Sequence, residues 1–158
     1  MNIVNAILFQ ATWFACVLGG TLWGLFGLST LLLFMAYAGN WRQDLTLLSG
    51  AALIGAAVDT LWIQLGILDF GTLLAPVWII FMWMGLALTV NYSLSFLKNK
   101  PMLAAIMAAC SAPLSYFAGE RFGAVDISNP QGIVLISIAW GTLFYVTFKQ
   151  QKLPYAQS

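Results

Sequence analysis

Charge and histidine are what this sequence has least of. Its 158 residues include six lysines and arginines, five aspartates and glutamates, two cysteines and no histidine. Soluble domains carry about 25% charged residues, whereas this chain has 7%. Without imidazole the chain lacks the commonest general base and the usual ligand of zinc and haem iron. The composition therefore excludes a soluble enzyme, and it excludes a nucleic-acid-binding protein, which needs clustered lysine and arginine. We expect no metal site and no cofactor.

Apolar residues fill the space that charge leaves. The chain is 61% hydrophobic and 15% aromatic, which indicates an integral membrane protein. A membrane-spanning helix needs about 20 mostly apolar residues, and glycine, proline, asparagine and charged residues separate such runs along this chain. The sequence predicts one all-α domain, a bundle of six transmembrane helices, with a tight hairpin at Gly19 and Gly20 between the first two. The predicted spans are about 3–19, 21–38, 45–67, 75–97, 101–118 and 132–148.

The basic residues indicate an orientation for this bundle. If both termini lie inside (N-in, C-in), the cytoplasmic basic residues are Arg42, Lys98, Lys100, Lys149 and Lys152. Only Arg121 then lies outside. Cytoplasmic loops are enriched in lysine and arginine, so the distribution favours this orientation.

Asp59 is the one ionisable residue that falls well within a predicted span. A charged residue at the centre of a membrane helix costs about 2.5–3.5 kcal/mol, so Asp59 needs a hydrogen-bonding partner or protonation. Gly55 and Ala51 precede it at four-residue spacing. Such a stripe of small residues allows another helix to approach closely. We expect Asp59 to face the bundle, either as a packing residue or as a proton carrier, general acid or base, or cation site.

Amide side chains supply most of the remaining polarity within the predicted spans. They are Asn5, Gln10, Gln64 and Asn91, and Asn91 shares a helix face with Trp83. Hydrogen bonds between membrane helices stabilise their association by about 0.6–2 kcal/mol. Each amide is therefore sufficiently explained as a side chain that holds helices together. Alternatively, together with Asp59, the amides and Trp83 line a single polar pocket for a ligand.

Two further features bear on ligand binding. Glu120 and Arg121 end the fifth predicted span, either as a solvated helix end or as a site where Arg121 turns inward. In the second case its guanidinium binds a lipid phosphate or pairs with Asp59. The seven tryptophans and eleven phenylalanines either anchor and pack the helices or line a cavity for an acyl chain or polyene.

The whole chain, from NAILFQATWFACVLGG through PVWIIFMWMGLALTVNYSL, carries a family resemblance. The residues concerned are Asn5, Gln10, Trp13, Pro76, Trp78, Trp83 and Ser93. Through them the chain resembles DUF2878, a family of small bacterial inner-membrane proteins of unknown function. The resemblance implies a multi-pass protein of the bacterial inner (cytoplasmic) membrane. It also implies a role in membrane-lipid modification or stress, with lipid-modifying enzymes as partners, because proteins of this family look to be encoded beside relatives of cyclopropane-fatty-acid synthases and flavin amine oxidases.

Three functions agree with these features. In the first, the protein binds, moves or helps modify a membrane lipid, with aromatic residues around the acyl chain and Arg121 or the amides at the headgroup. In the second, it is a small transporter in which Asp59 couples protons to the substrate and the chain forms a homo-oligomer. In the third, it is a non-catalytic subunit of a membrane assembly. Membrane lipids are the partners expected in the first case.

Overall fold

The computed structural model describes residues 2–38 and 41–150, and it is all-α apart from one short strand pair. Its elements are α1 (Asn2–Ala38), α2 (Trp41–Gln64), β1 (Leu68–Asp69), α3 (Val77–Ala87), a 3-10 turn (Ser95–Leu97), α4 (Pro101–Arg121), β2 (Asp126–Ile127), a second 3-10 turn (Pro130–Gly132) and α5 (Ile133–Gln150). Lys152, one of the basic residues predicted to be cytoplasmic, lies outside the described residues.

Four of the described helices are long and apolar enough to cross a membrane. They are Asn2–Tyr37, Asp44–Gln64, Pro101–Arg121 and Pro130–Gln150, while the apolar helix Val77–Ala87 is shorter. The chain is therefore an all-α membrane protein, as the composition predicts. The structure does not support the predicted count of six helices, and it does not support the N-in, C-in orientation. The count differs because the first two predicted spans form one element and the fourth is only partly helical.

The first of these differences lies in α1, which is broken at Gly20. Its backbone angles there are φ 63° and ψ −148°, a conformation that glycine adopts readily because it has no Cβ. The chain turns back at this point. A Cβ on Gly27 would lie 2.9 Å from the Cα of Thr12, and the Asn5 side chain reaches Met35. The two arms of α1 thus pack against each other in opposite directions, as the predicted hairpin requires.

The second difference lies in the segment predicted as the fourth span. α3 ends at Ala87, and the chain continues to the turn at 95–97 through successive tight turns rather than regular α-helix. Thr89, Asn91 and Ser93 lie in this stretch, and such residues lower helix propensity through β-branching or competing side-chain hydrogen bonds. The segment is therefore helical in its first half and irregular in its second.

The helices form two groups with a cleft between them. α3 packs mainly against α1 and α2, and α4 packs mainly against α5. At one end the groups are joined by the antiparallel pairing of β1 with β2, in which Leu68 faces Ile127. At the other end Phe148 of α5 packs with Leu97 and Ala104. These joints hold the two groups together while leaving space along the middle.

Candidate binding site

A large cavity of about 480 Å³ lies between the two helix groups. This volume falls within the range of about 300–1,000 Å³ that is typical of small-molecule sites. Its wall is mainly apolar and rich in aromatic residues, among them Trp13, Trp78, Trp83, Tyr116, Phe122 and Trp140. Asp59 is the only acidic residue in this wall.

Asp59 ties the two helix groups together across the cavity. Its side chain is fully buried, with 0% exposure. The indole Nε1 of Trp83, on α3, donates to Oδ2 at 2.6 Å, and the hydroxyl of Tyr116, on α4, donates to Oδ1 at 2.6 Å. Both carboxylate oxygens therefore have a neutral donor, which offsets part of the cost of removing this group from water.

The position of Trp83 depends on a glycine one helical turn before Asp59. A Cβ on Gly55 would overlap the ring of Trp83, so only glycine leaves room for this indole. The other neighbour of the ring is Trp140, which stacks on it with centroids 4.3 Å apart and 21° between the planes. The indole of Trp83 thus packs against the helix face of Gly55, and in this position its N–H donates to Asp59.

Aromatic side chains line the large cavity where α1 and α4 approach each other. Trp13 donates to the Ser115 hydroxyl at 3.0 Å. Around it, Phe14 and Phe122 pack edge to face, with ring centroids 5.1–6.3 Å apart. Phe14 is 41% exposed and Phe122 is 48% exposed. The cavity is therefore partly open on this side, and aromatic side chains line the opening.

A second cavity of about 310 Å³ adjoins the first. Both are lined by the same five residues, Phe9, Gln10, Leu86, Ser111 and Trp140. The second cavity extends along the irregular segment after α3, where Ser93 and Leu97 contribute to its wall. Together the two cavities make an elongated apolar cleft.

Comparison with protein-family models identifies the family of this chain. A family model described as "Protein of unknown function (DUF2878)" matches residues 2–146. The chain belongs to this family. No curated protein and no solved structure gives a significant match. The family predicted from the sequence is confirmed, and the whole Asp59 cavity of this DUF2878 protein lies within the matched region.

A second buried polar cluster is centred on Asn5, at the break that follows α3. The fully buried Asn5 donates from Nδ2 to the Leu88 carbonyl at 3.1 Å. Its Oδ1 accepts from the backbone N–H of Ser93 at 3.3 Å and from the Ser93 hydroxyl at 2.7 Å. Backbone groups left free by a broken helix must be satisfied within the protein at membrane depth. Asn5 hydrogen-bonds two such groups, the carbonyl of Leu88 and the N–H of Ser93.

The predicted spans 21–38 and 45–67 leave Asp44 in the polar loop between them, and this placement is wrong. Asp44 lies in the first turn of α2 and is only 3% exposed. Its carboxylate accepts from the Asn91 amide at 3.0 Å and from the Tyr92 hydroxyl at 2.9 Å. Fifteen residues of α-helix, or about 22 Å, separate it from Asp59. Asn91 therefore belongs to a different cluster from Asp59.

The structure divides the predicted site residues. Asp59, Trp83 and Gln10 line the large cavity, whereas Asn5 and Asn91 support the irregular segment. The remaining three lie at the end where β1 and β2 pair. Gln64 donates to the Leu73 carbonyl at 2.8 Å, Glu120 accepts from the Ile127 N–H at 3.0 Å, and Arg121 is exposed. Asp59 is fully buried with Trp83 and Tyr116 as its hydrogen-bond partners, and the exposed Arg121 does not pair with it.

Helix α4 contributes side chains to the site that are not among the residues predicted from the sequence. Ser111, Ser115 and Tyr116 all line the large cavity. The signal was present, because two hydroxyl residues four positions apart within an apolar run lie on one face of a helix. That face points into the cleft.

Proposed function

We propose that this DUF2878 protein binds the hydrocarbon chain of a membrane lipid in the cavity beside Asp59. The observation that carries the proposal is an apolar, aromatic-walled cavity of about 480 Å³ that is partly open to the outer surface between α1 and α4. Predominantly apolar walls with a few placed polar groups are typical of ligand sites. A lipid chain is the apolar ligand that a membrane supplies at the highest concentration.

Asp59 acts in this proposal as a positioning residue. No part of its surface is exposed, and both of its oxygens accept hydrogen bonds from wall residues. It therefore holds the Trp83 indole and the Tyr116 ring in fixed orientations from opposite helix groups. Fixing these two side chains fixes the width of the cavity, which in turn favours one shape of ligand.

We further propose that the chain passes through the membrane six times. The arms of α1 on either side of Gly20 span 18 residues each, about 27 Å of helix, close to the hydrocarbon thickness of about 30 Å. The segment from Val77 to Leu97 crosses as a helix followed by turns. In this arrangement the basic residues favour N-in, C-in topology in a bacterial inner membrane. A bound lipid would then be available to lipid-modifying enzymes as partners.

A transporter is the second candidate function, and the break after α3 favours it. Discontinuous membrane helices line the substrate sites of many transporters. Here the irregular segment at Thr89 and Ser93 lines the second cavity. On this alternative Asp59 couples protons to the movement of a substrate through the cleft, within a homo-oligomer. If neither lipid binding nor transport is found, the remaining candidate is a non-catalytic subunit of a membrane assembly.

The lipid proposal is tested by filling the cavity. Ala118 lines the large cavity, whereas Ala11 is exposed and is not part of its wall. We expect wild-type protein and Ala11→Trp to retain a lipid in native mass spectrometry after purification in mild detergent. We expect Ala118→Trp to lose it, because the new indole occupies the space of the chain.

The comparison requires that both variants remain folded, which size-exclusion chromatography and thermal unfolding report. Equal lipid retention by folded Ala118→Trp and by wild type would contradict the proposal. So would wild-type protein that carries no lipid after gentle purification. In that case transport assays with Asp59→Asn become the test of the second candidate.

A further inference from the structure

The wall shared by the two cavities carries two polar side chains with free hydrogen-bonding capacity. Gln10 on α1 and Ser111 on α4 line both cavities, and both are exposed. Other hydroxyls of these walls are already engaged. Ser115 accepts from Trp13, and Ser93 donates to Asn5. Within the described residues, neither Gln10 nor Ser111 makes a side-chain hydrogen bond.

The position of this polar pair defines the order of groups along a ligand. One apolar cavity lies on each side of it, of about 480 Å³ and about 310 Å³. A ligand that fills both must therefore present an apolar segment, a hydrogen-bonding group and a second apolar segment. The Gln10 amide donates and accepts, and the Ser111 hydroxyl does both as well. Together they can satisfy a carbonyl or hydroxyl oxygen.

The charges of the cleft determine the charge of the ligand. Among the described residues, Asp59 is the only acid that lines either cavity, and no lysine or arginine lines them. A negatively charged group would lose its hydration here without gaining a counter-charge, which is costly in an apolar environment. An uncharged polar group loses far less, provided that it finds hydrogen-bonding partners.

We propose that Gln10 and Ser111 bind an uncharged ester or hydroxyl group within a lipid whose two hydrocarbon segments occupy the two cavities. This inference rests on the proposed function, because it requires that the cleft takes a hydrocarbon chain. It adds the ligand class: a neutral, elongated lipid, such as a long-chain ester, rather than an ionised fatty acid. It also gives Gln10 and Ser111 a role in specificity.

The test uses the purified full chain in nanodiscs and quenching of tryptophan fluorescence by brominated probes, since Trp83 and Trp140 lie in the cavity walls. The probes are a long-chain ester, an alkane of equal length and an ionised fatty acid of equal length. We expect the ester to bind about tenfold more tightly than the alkane, the gain of roughly one to two net hydrogen bonds. We expect the fatty acid to bind most weakly.

Two variants test the polar pair. Gln10→Leu and Ser111→Ala should each reduce the preference for the ester over the alkane while leaving alkane binding unchanged. Matched controls are Gln131→Leu and Thr142→Val, two exposed positions outside both cavities, which should keep the preference.

The outcomes separate this inference from the proposed function. Equal binding of ester and alkane to wild type, or an unchanged preference in both cavity variants, overturns the role of Gln10 and Ser111 while chain binding stands. Fatty acid binding as tight as ester binding overturns the charge argument. If no probe binds, the proposed function fails, and this inference fails with it.

Discussion

Replacing Asp59 by alanine is expected to lower the free energy of unfolding by about 3 kcal/mol. The change leaves the Nε1 of Trp83 and the hydroxyl of Tyr116 buried without their acceptor. Each unsatisfied buried donor costs about 1–3 kcal/mol. The loss also frees the two side chains that span the cleft, so lipid retention should fall in parallel. Unfolding of detergent-solubilised protein, followed by tryptophan fluorescence, measures the stability.

Asp59→Asn is the matched control, because it removes the charge but keeps the shape. The amide oxygen can accept from Trp83, and the amide nitrogen can donate to the Tyr116 hydroxyl, which is also an acceptor. We expect its stability to lie within about 1 kcal/mol of wild type and its lipid binding to persist. If Asp59→Asn is folded yet no longer binds lipid or transports a substrate, the carboxylate itself is functional. The proton-coupled transporter would then replace the positioning role.

Replacing Asn5 by alanine is expected to have a comparable effect at the other end of the molecule. The change removes the donor to the Leu88 carbonyl and the acceptor of both Ser93 groups. The Leu88 carbonyl and the Ser93 N–H then lack a hydrogen-bond partner in an apolar environment, which is costly. We expect a loss of about 3 kcal/mol, measured by the same unfolding experiment.

Asn2→Ala provides the control for this prediction, because Asn2 is an exposed asparagine at the start of α1 and should tolerate the change. Asn5→Asp is a more specific probe. It keeps the acceptor for Ser93 but places an oxygen against the Leu88 carbonyl, so it should be destabilised despite its similar size. A wild-type unfolding curve for Asn5→Ala would show that the break after α3 does not need Asn5.

The elements that the sequence predicts well are those determined by local chemistry. Gly20 reverses the chain because its backbone conformation has φ 63°, which glycine adopts without strain. Pro101 begins α4, at a position where the missing N–H of proline costs nothing. Asp59 faces the bundle as expected, because an acid in an apolar helix is expelled from lipid.

The elements that the sequence predicts poorly depend on partners distant in the chain. Hydropathy treats residues 75–97 as one span, but the segment loses α-helical form where the Asn5 side chain satisfies its backbone. Asp44 reads as a loop residue because its hydrogen-bond partners, Asn91 and Tyr92, lie more than 40 positions away. No local pattern reports such a pairing.

By itself, the sequence determined that this is an all-α membrane protein and that Asp59 needs partners within it, since so few charges cannot keep so apolar a chain in water. Only the tertiary structure decided which partners those are. Trp83 and Tyr116 come from two different helix groups, and their meeting at one carboxylate depends on packing that brings α2, α3 and α4 together. The same packing separates Asn5 and Asn91 from Asp59 and opens the cleft between the groups. Burial cost depends on residue type, whereas the convergence of side chains depends on the whole fold.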